Sequence, residues 1–126
     1  MKFRKIQKED NPFIARIIRT NLEKYSLNIK GTAYFDECLD NLFAYYNELP
    51  LERQYWVLLD DNDNVVGGAG FANLPYIDGC CELQKIYLID EYKGQGYGLR
   101  LLELVVDNAK CLDIIKCILK RMTDLI

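Results

Sequence analysis

The stretch Cys81–Glu103, CELQKIYLIDEYKGQGYGLRLLE, constrains this chain more than any other part of it. An apolar run with strand character, Leu83 to Ile89, passes through the acidic turn Asp90-Glu91 into a glycine-spaced loop, Lys93-Gly94-Gln95-Gly96-Tyr97-Gly98. From Leu99 the pattern becomes helical. At the start of a helix the first backbone N–H groups have no intrahelical acceptor, and the helix dipole favours negative charge there. A strand, a glycine loop and a helix N-terminus in this order therefore make a ready site for a phosphate-bearing ligand.

Around that segment the hydrophobic periodicity predicts the remaining elements. Met1–Ile6 reads as a short first strand with Phe3 facing the core. Asn11 as N-cap and Pro12 at the first helical position open a helix whose apolar face is Phe13, Ile14, Ile17, Ile18, Leu22 and Tyr25. Lys30-Gly31-Thr32 is a break. A second helix follows, with Asp36 and Glu37 in its first turn and an apolar face of Phe35, Cys38, Leu39, Leu42, Phe43 and Tyr46, ending over Asn47–Pro50. Tyr55–Leu59 is a buried strand, Asp60–Asn64 a turn, and Val65-Val66 begins the return strand. The DNDN turn lacks the glycine and distal glutamate of a calcium loop and reads as a hairpin turn. Gly67, Gly68 and Gly70 weaken the return strand but permit close approach of another group. Leu74–Gly79 is a loop. After the central segment, a helix packs Leu102, Val105, Val106 and Ala109 inward, and Ile114–Lys120 is a last strand. The order β-α-α-β-β-β-α-β specifies an α/β (α+β) fold, a mixed sheet with helices on its faces, in one domain spanning residues 1–126.

Composition narrows the function classes. Sixteen basic against nineteen acidic residues give a net charge of -3, without the basic stripe of a nucleic-acid binder. The N-terminal cluster Lys2, Arg4, Lys5 and Lys8 is followed at once by acidic residues and reads as a solvated strand edge. No apolar run approaches the roughly 18 residues of a membrane span, and the N-terminus lacks a signal-peptide pattern. Five cysteines without CxxC spacing, and no histidine anywhere, argue against a metal site. The expectation is a cytoplasmic protein with reduced, mostly buried thiols.

The loop itself excludes two common nucleotide sites. A dinucleotide fingerprint would place the glycines after the first strand, with the third glycine three residues past the second; here Gly98 follows Gly96 by two. A Walker A loop needs Gly-Lys followed by Ser or Thr, which is absent.

The context Glu82-Leu83-x-Lys85-hydrophobic-Tyr87, an acidic-aromatic turn, Lys93-Gly94-Gln95-Gly96-Tyr97-Gly98 and a Leu-Leu helix resembles the GNAT superfamily of N-acetyltransferases. That family's signature is [Gln/Arg]-x-x-Gly-x-[Gly/Ala], with lysine here in first place. The Val66-Gly67-Gly68-Ala69-Gly70 hairpin is similar to its second and third strands. The resemblance implies a mixed, mostly antiparallel central sheet flanked by helices, and acetyl-CoA as cosubstrate. It implies that amides from Lys93 to Gly98 (Lys93, Gly94, Gln95, Gly96, Tyr97, Gly98) wrap the pyrophosphate, with Leu99 and Arg100 in the first helical turn. Backbone groups of Ile86, Tyr87 and Leu88 would pair with pantetheine, and the Ile86 amide would stabilise the oxyanion. The acceptor would be a primary amine of a small molecule or protein, acylated directly in a ternary complex.

Such transfer requires the ammonium to lose a proton first. Without histidine the base is a carboxylate, a tyrosine, a thiolate or a water chain. Glu82, eleven residues before Lys93, matches the catalytic glutamate of some family members and would act through water. Cys80 or Cys81 as a covalent nucleophile would need an activating base. The first two helices and the Leu74–Gly79 loop are expected to shape the acceptor pocket, with Tyr25, Tyr34, Asp36 and Glu37 as candidate contacts. The family pattern continues past its fifth strand with a helix, two more strands and a tyrosine that protonates the thiolate. This sequence ends at Ile126, where that helix would begin, and Tyr97 does not match the tyrosine's position, so against the family pattern the chain reads as truncated, with an acyl-CoA-binding module of little or no activity as the alternative. An exposed last strand would be a pairing edge for a homodimer.

Overall fold

The computed structural model describes residues 1–112 in full and the backbone of 117–120. Strands β1 (Lys2–Lys5), β2 (Arg53–Leu59), β3 (Val65–Asn73), β4 (Cys80–Leu88) and β5 (Cys117–Lys120) form one sheet in sequential order. The helices are α1 (Asn11–Lys24), α2 (Leu42–Glu48) and α3 (Tyr97–Cys111). Neighbours from β1 to β4 are antiparallel, and β5 is parallel to β4. The expected mixed, mostly antiparallel sheet with flanking helices is what forms. Residues 113–116, where the last strand was expected to begin, lie outside the described residues. So does any pairing edge past Lys120.

The sheet is covered on both faces, which explains why β2 is a continuous apolar run rather than an alternating one. Tyr55, Val57 and Leu59 join Ile14, Ile18, Leu22, Leu39, Leu42 and Tyr46 under α1 and α2. Trp56 and Leu58 join Phe71, Leu83, Leu101, Val105 and Ala109 under α3. Leu101, Val105 and Ala109, at i, i+4 spacing, carry the buried face of α3, while Leu102 and Val106 are half-buried at its edge.

Three further boundaries differ from expectation. Asn11 is the first helical residue of α1 rather than its cap; its Oδ1 instead accepts from the Phe43 amide (2.9 Å) at the start of α2. β4 starts at Cys80 rather than Leu83, its first residues held by both β3 and β5. The second helix is broken into 3-10 turns at Ala33–Phe35 and Leu39–Asn41, and only Leu42–Glu48 is α-helical. Asp36, between the turns, is extended (φ -64°, ψ 129°), and its carboxylate is drawn to Lys85 of β4. Phe35 consequently points outward, 57% exposed.

Candidate active site

The middle of β4 is bulged. Gly70 pairs with Gln84 and Gly68 with Tyr87, so two residue steps on β3 face three on β4. The extra residue falls at Lys85-Ile86, which takes this peptide out of the ladder with β3. Lys85 adopts φ +50°, a left-handed conformation that costs a non-glycine residue about 1 kcal/mol. Contacts from two sides help to hold it there. Tyr55 Oη donates to the Lys85 carbonyl (2.7 Å, buried), and Lys85 Nζ meets Asp36 Oδ2 at 3.0 Å. The Tyr55 ring reaches this carbonyl by lying across Gly68 and Gly70 of β3. A Cβ on Gly68 would sit 2.6 Å from Tyr55 Cε1. The group that the β3 glycines admit is therefore a side chain of the neighbouring strand. On the other edge of β4, pairing with β5 runs from Cys80–Cys117 to Leu83–Lys120 among the described residues, ending just before the bulge.

Beyond β4 the chain makes a 3-10 turn, Asp90–Tyr92, and enters the glycine loop. Gly94 (φ +75°) and Gly96 (φ +88°) are both left-handed, and Gly96 is the N-cap of α3. A Cβ at either would touch nothing within 4 Å, so these positions need glycine for backbone angle, not for space within the protein. Gly94, Gln95 and Gly96 are exposed, as are Leu99 and Arg100; Tyr97 and Gly98 are half-buried. Lys93 is committed to the protein. Its amide donates to the Asp90 carbonyl, and its ammonium donates to Asn21 Oδ1 (2.6 Å) and pairs with Asp90 (3.0 Å). Among the described residues, loop amides without a backbone acceptor thus begin at Gly94. The Arg100 guanidinium lies over the Phe3 and Tyr97 rings, 5.0 and 5.9 Å from their centroids. Asp90 also accepts from Lys24 of α1, and these hydrogen bonds, Lys24 first, hold its carboxyl below the usual carboxylate range.

Asn21 organises this end of the sheet, and the sequence reading missed it. Its Nδ2 donates to the carbonyls of Ile17 and Leu88, both at 3.0 Å, while its Oδ1 receives Lys93. One buried amide thereby ties α1 to the end of β4 and to the loop. The signal was available: an asparagine stands on the same helix face as Ile14, Ile17 and Ile18.

On the α1/α2 side a cavity of about 430 Å³ opens beside the bulge, lined by Asp36, Glu37, Cys38, Tyr45, Gln84 and Lys85. Of the candidate acceptor contacts, the fold brings Asp36 and Glu37 here. Tyr34 instead donates to Glu23 (3.0 Å), Tyr25 lies beneath Lys24 and Lys93, and the Leu74–Gly79 loop does not line this cavity. Glu82, half-buried, is linked to the cavity by a polar chain: Tyr46 Oη donates to Gln84 Oε1 (2.7 Å), and Gln84 Nε2 donates to Glu82 Oε1 (2.9 Å). Ile86 is half-buried, and Tyr87 and Leu88 are buried.

Among the described residues, the cysteines near the bulge offer no activated thiol. Burial pushes the Cys81 and Cys38 thiols up. Cys80 is disulfide-bonded, which corrects the expectation of uniformly reduced cysteines and removes it as a free nucleophile.

A mixed sheet with a bulged fourth strand, running into a glycine loop at a helix N-terminus, defines an α/β N-acetyltransferase. Residues 15–124 match the model of the acetyltransferase (GNAT) family, and the chain belongs to that family. It is 34% identical over 119 residues to YjgM of Escherichia coli K12, an uncharacterised N-acetyltransferase, spanning 93% of this chain and 70% of that protein. Among solved structures, a predicted acetyltransferase from Clostridium acetobutylicum, crystallised with acetyl-CoA, superposes with a TM-score of 0.77 at 18% identity, covering 98% of this chain and 82% of its own. A GNAT-family acetyltransferase from Staphylococcus aureus Mu50 superposes with a TM-score of 0.74 at 22% identity, covering 90% and 68%.

Proposed function

We propose that this chain binds acetyl-CoA along β4 and the glycine loop and transfers the acetyl group directly to a primary amine of a small molecule or protein. The bulge at Lys85-Ile86 is the observation that carries the reading, since it frees a backbone N–H beside a cavity and beside an anion-receptive loop. In this reading the amides from Gly94 to Gly98, with that of Leu99, receive the pyrophosphate; Arg100, whose own amide donates to the Gly96 carbonyl, adds its guanidinium to the phosphate contacts from the same turn, and Lys93 fixes the loop's approach to α1. The backbone of Ile86, Tyr87 and Leu88 pairs with pantetheine. The fit is supported by the exposed, left-handed Gly94 and Gly96, which leave no side chain between the loop backbone and a ligand.

Chemically, the acceptor enters the cavity as an ammonium ion and loses a proton through water to Glu82. The amine nitrogen attacks the thioester carbon while the Ile86 N–H stabilises the developing oxyanion, a contribution of about 3–4 kcal/mol for one well-placed donor. The C–N bond forms, the C–S bond breaks, and the thiolate leaves to be protonated from solvent. Glu82 is suited to the base by its half-buried place beside Gln84. Thiol release from acetyl-CoA, followed across a panel of amines, tests the reaction. Turnover that survives Glu82→Gln undiminished at all pH values would remove Glu82 from the base role, and binding of acetyl-CoA without turnover of any amine would leave only a binding module.

A further inference from the structure

We infer that Lys85 is a positioning residue whose side chain ties the wall of the acceptor cavity to the oxyanion-binding amide. The inference rests on the acetyl-transfer reading above and adds to it a residue with a separable role. A bulge position at positive φ ordinarily suits glycine, asparagine or aspartate. Here it holds a lysine whose side chain is only 4% exposed. A buried ammonium is unfavourable unless paired, and Asp36 Oδ2 at 3.0 Å provides the pairing.

The partner's location gives the contact its consequence. Asp36 lies in the extended link between the turns Ala33–Phe35 and Leu39–Asn41, a segment outside the sheet. Asp36, Glu37 and Cys38 from that segment form one side of the cavity, and Gln84 and Lys85 form the other. The ion pair therefore spans the two walls. At the same residue, the Lys85 carbonyl is fixed from the sheet by Tyr55 Oη. Ile86 is the next residue, so the strut sets the distance of the outer wall from the peptide that presents its amide, while the bulge itself holds that peptide in place. A bulge alone needs only a residue tolerant of positive φ; the lysine is required for the strut.

These two roles separate by substitution. Lys85→Gly keeps the backbone conformation and removes the strut; Lys85→Val removes the strut and disfavours the conformation. The assay is thiol release from acetyl-CoA with n-butylamine, 1,4-diaminobutane and a glycyl peptide, using whichever is turned over fastest. Lys85→Gly is expected to raise the acceptor KM about tenfold with kcat within about threefold, a loss of ground-state positioning. Lys85→Val is expected to lower kcat by about 100-fold, the cost of misplacing an oxyanion donor. Asp36→Asn should reproduce the KM rise, and the double variant with Lys85→Gly should be no worse than either alone. An unchanged acceptor KM in Lys85→Gly, or KM increases that add in the double variant, would overturn the inference. Should Lys85→Gly fail to fold, Asp36→Asn decides by the same KM criterion. Wild-type protein that binds no acetyl-CoA overturns the transferase reading and this inference with it, whereas active wild type with silent variants overturns the inference alone.

Discussion

Gly68→Ala should damage the bulge from a residue that touches neither ligand. A Cβ there would lie 2.6 Å from Tyr55 Cε1, 2.7 Å from Tyr55 Oη and 2.9 Å from the Trp56 carbonyl, where about 3.5 Å is the comfortable limit. Tyr55 is 1% exposed and has no open space to swing into, and the Trp56 carbonyl belongs to the adjacent strand. Overpacking of this kind costs about 1–3 kcal/mol. If Tyr55 Oη is pushed off the Lys85 carbonyl, an unsatisfied buried acceptor adds about 1–3 kcal/mol. At roughly 3–5 °C per kcal/mol for a chain of this size, Tm should fall by about 6–30 °C. Thermal melts by circular dichroism measure this directly. Two of the three close contacts are with Tyr55, so the same substitution in a Tyr55→Leu background should cost less than in wild type, a departure from additivity, while the contact with the Trp56 carbonyl remains. A Gly68→Ala protein that melts within 2 °C or so of wild type would refute the claim that this glycine exists to seat Tyr55.

Gly96→Val should weaken acetyl-CoA affinity by at least about 100-fold in calorimetry, because a β-branched residue resists φ +88° and puts a side chain on the ligand side of the loop; retained affinity would count against the phosphate-loop reading. Tyr55→Phe should cost about 1–3 kcal/mol in denaturant melts by leaving the Lys85 carbonyl unsatisfied, with a fall in kcat larger than any rise in acetyl-CoA KM. For Asp90 the sign follows from its depressed folded pKa: its ties to Lys24 and Lys93 are intact above the unfolded carboxylate pKa of about 3.9 and are lost as pH falls through the lower folded value. Its carboxyl carbon, followed by NMR, should titrate below that value and move up in Lys24→Met; a midpoint insensitive to Lys24→Met would break this link.

The elements that were legible in the sequence are those whose physics is local. Pro12 and the isoleucine spacing mark α1, the Tyr55–Leu59 run marks a strand buried on both faces, and the glycines between Lys93 and Gly98 mark a backbone turned outward. What was not legible depends on distant partners. Nothing near Asp36 in sequence shows that its carboxylate will leave a helix start for Lys85, forty-nine residues on, with the second helix divided into two 3-10 turns and the short α2. Lys85 is none of the residue types usual at positive φ, and its burial depends on groups such as Asp36 and Tyr55 that the fold brings to it. Asn21 lay between these cases. It was visible as a polar residue on an apolar face, but its partners, Leu88 and Lys93, are brought to it only by the fold.

Titration of ¹⁵N-labelled protein with acetyl-CoA, read by amide shifts and by calorimetry on the same sample, tests the central claim most directly. The account predicts saturable binding with a Kd in the micromolar range, about -8 kcal/mol, and the largest shifts at Gly94–Gly98 and at Ile86–Leu88. Saturable binding that leaves those amides unmoved, or no binding at all, would contradict it.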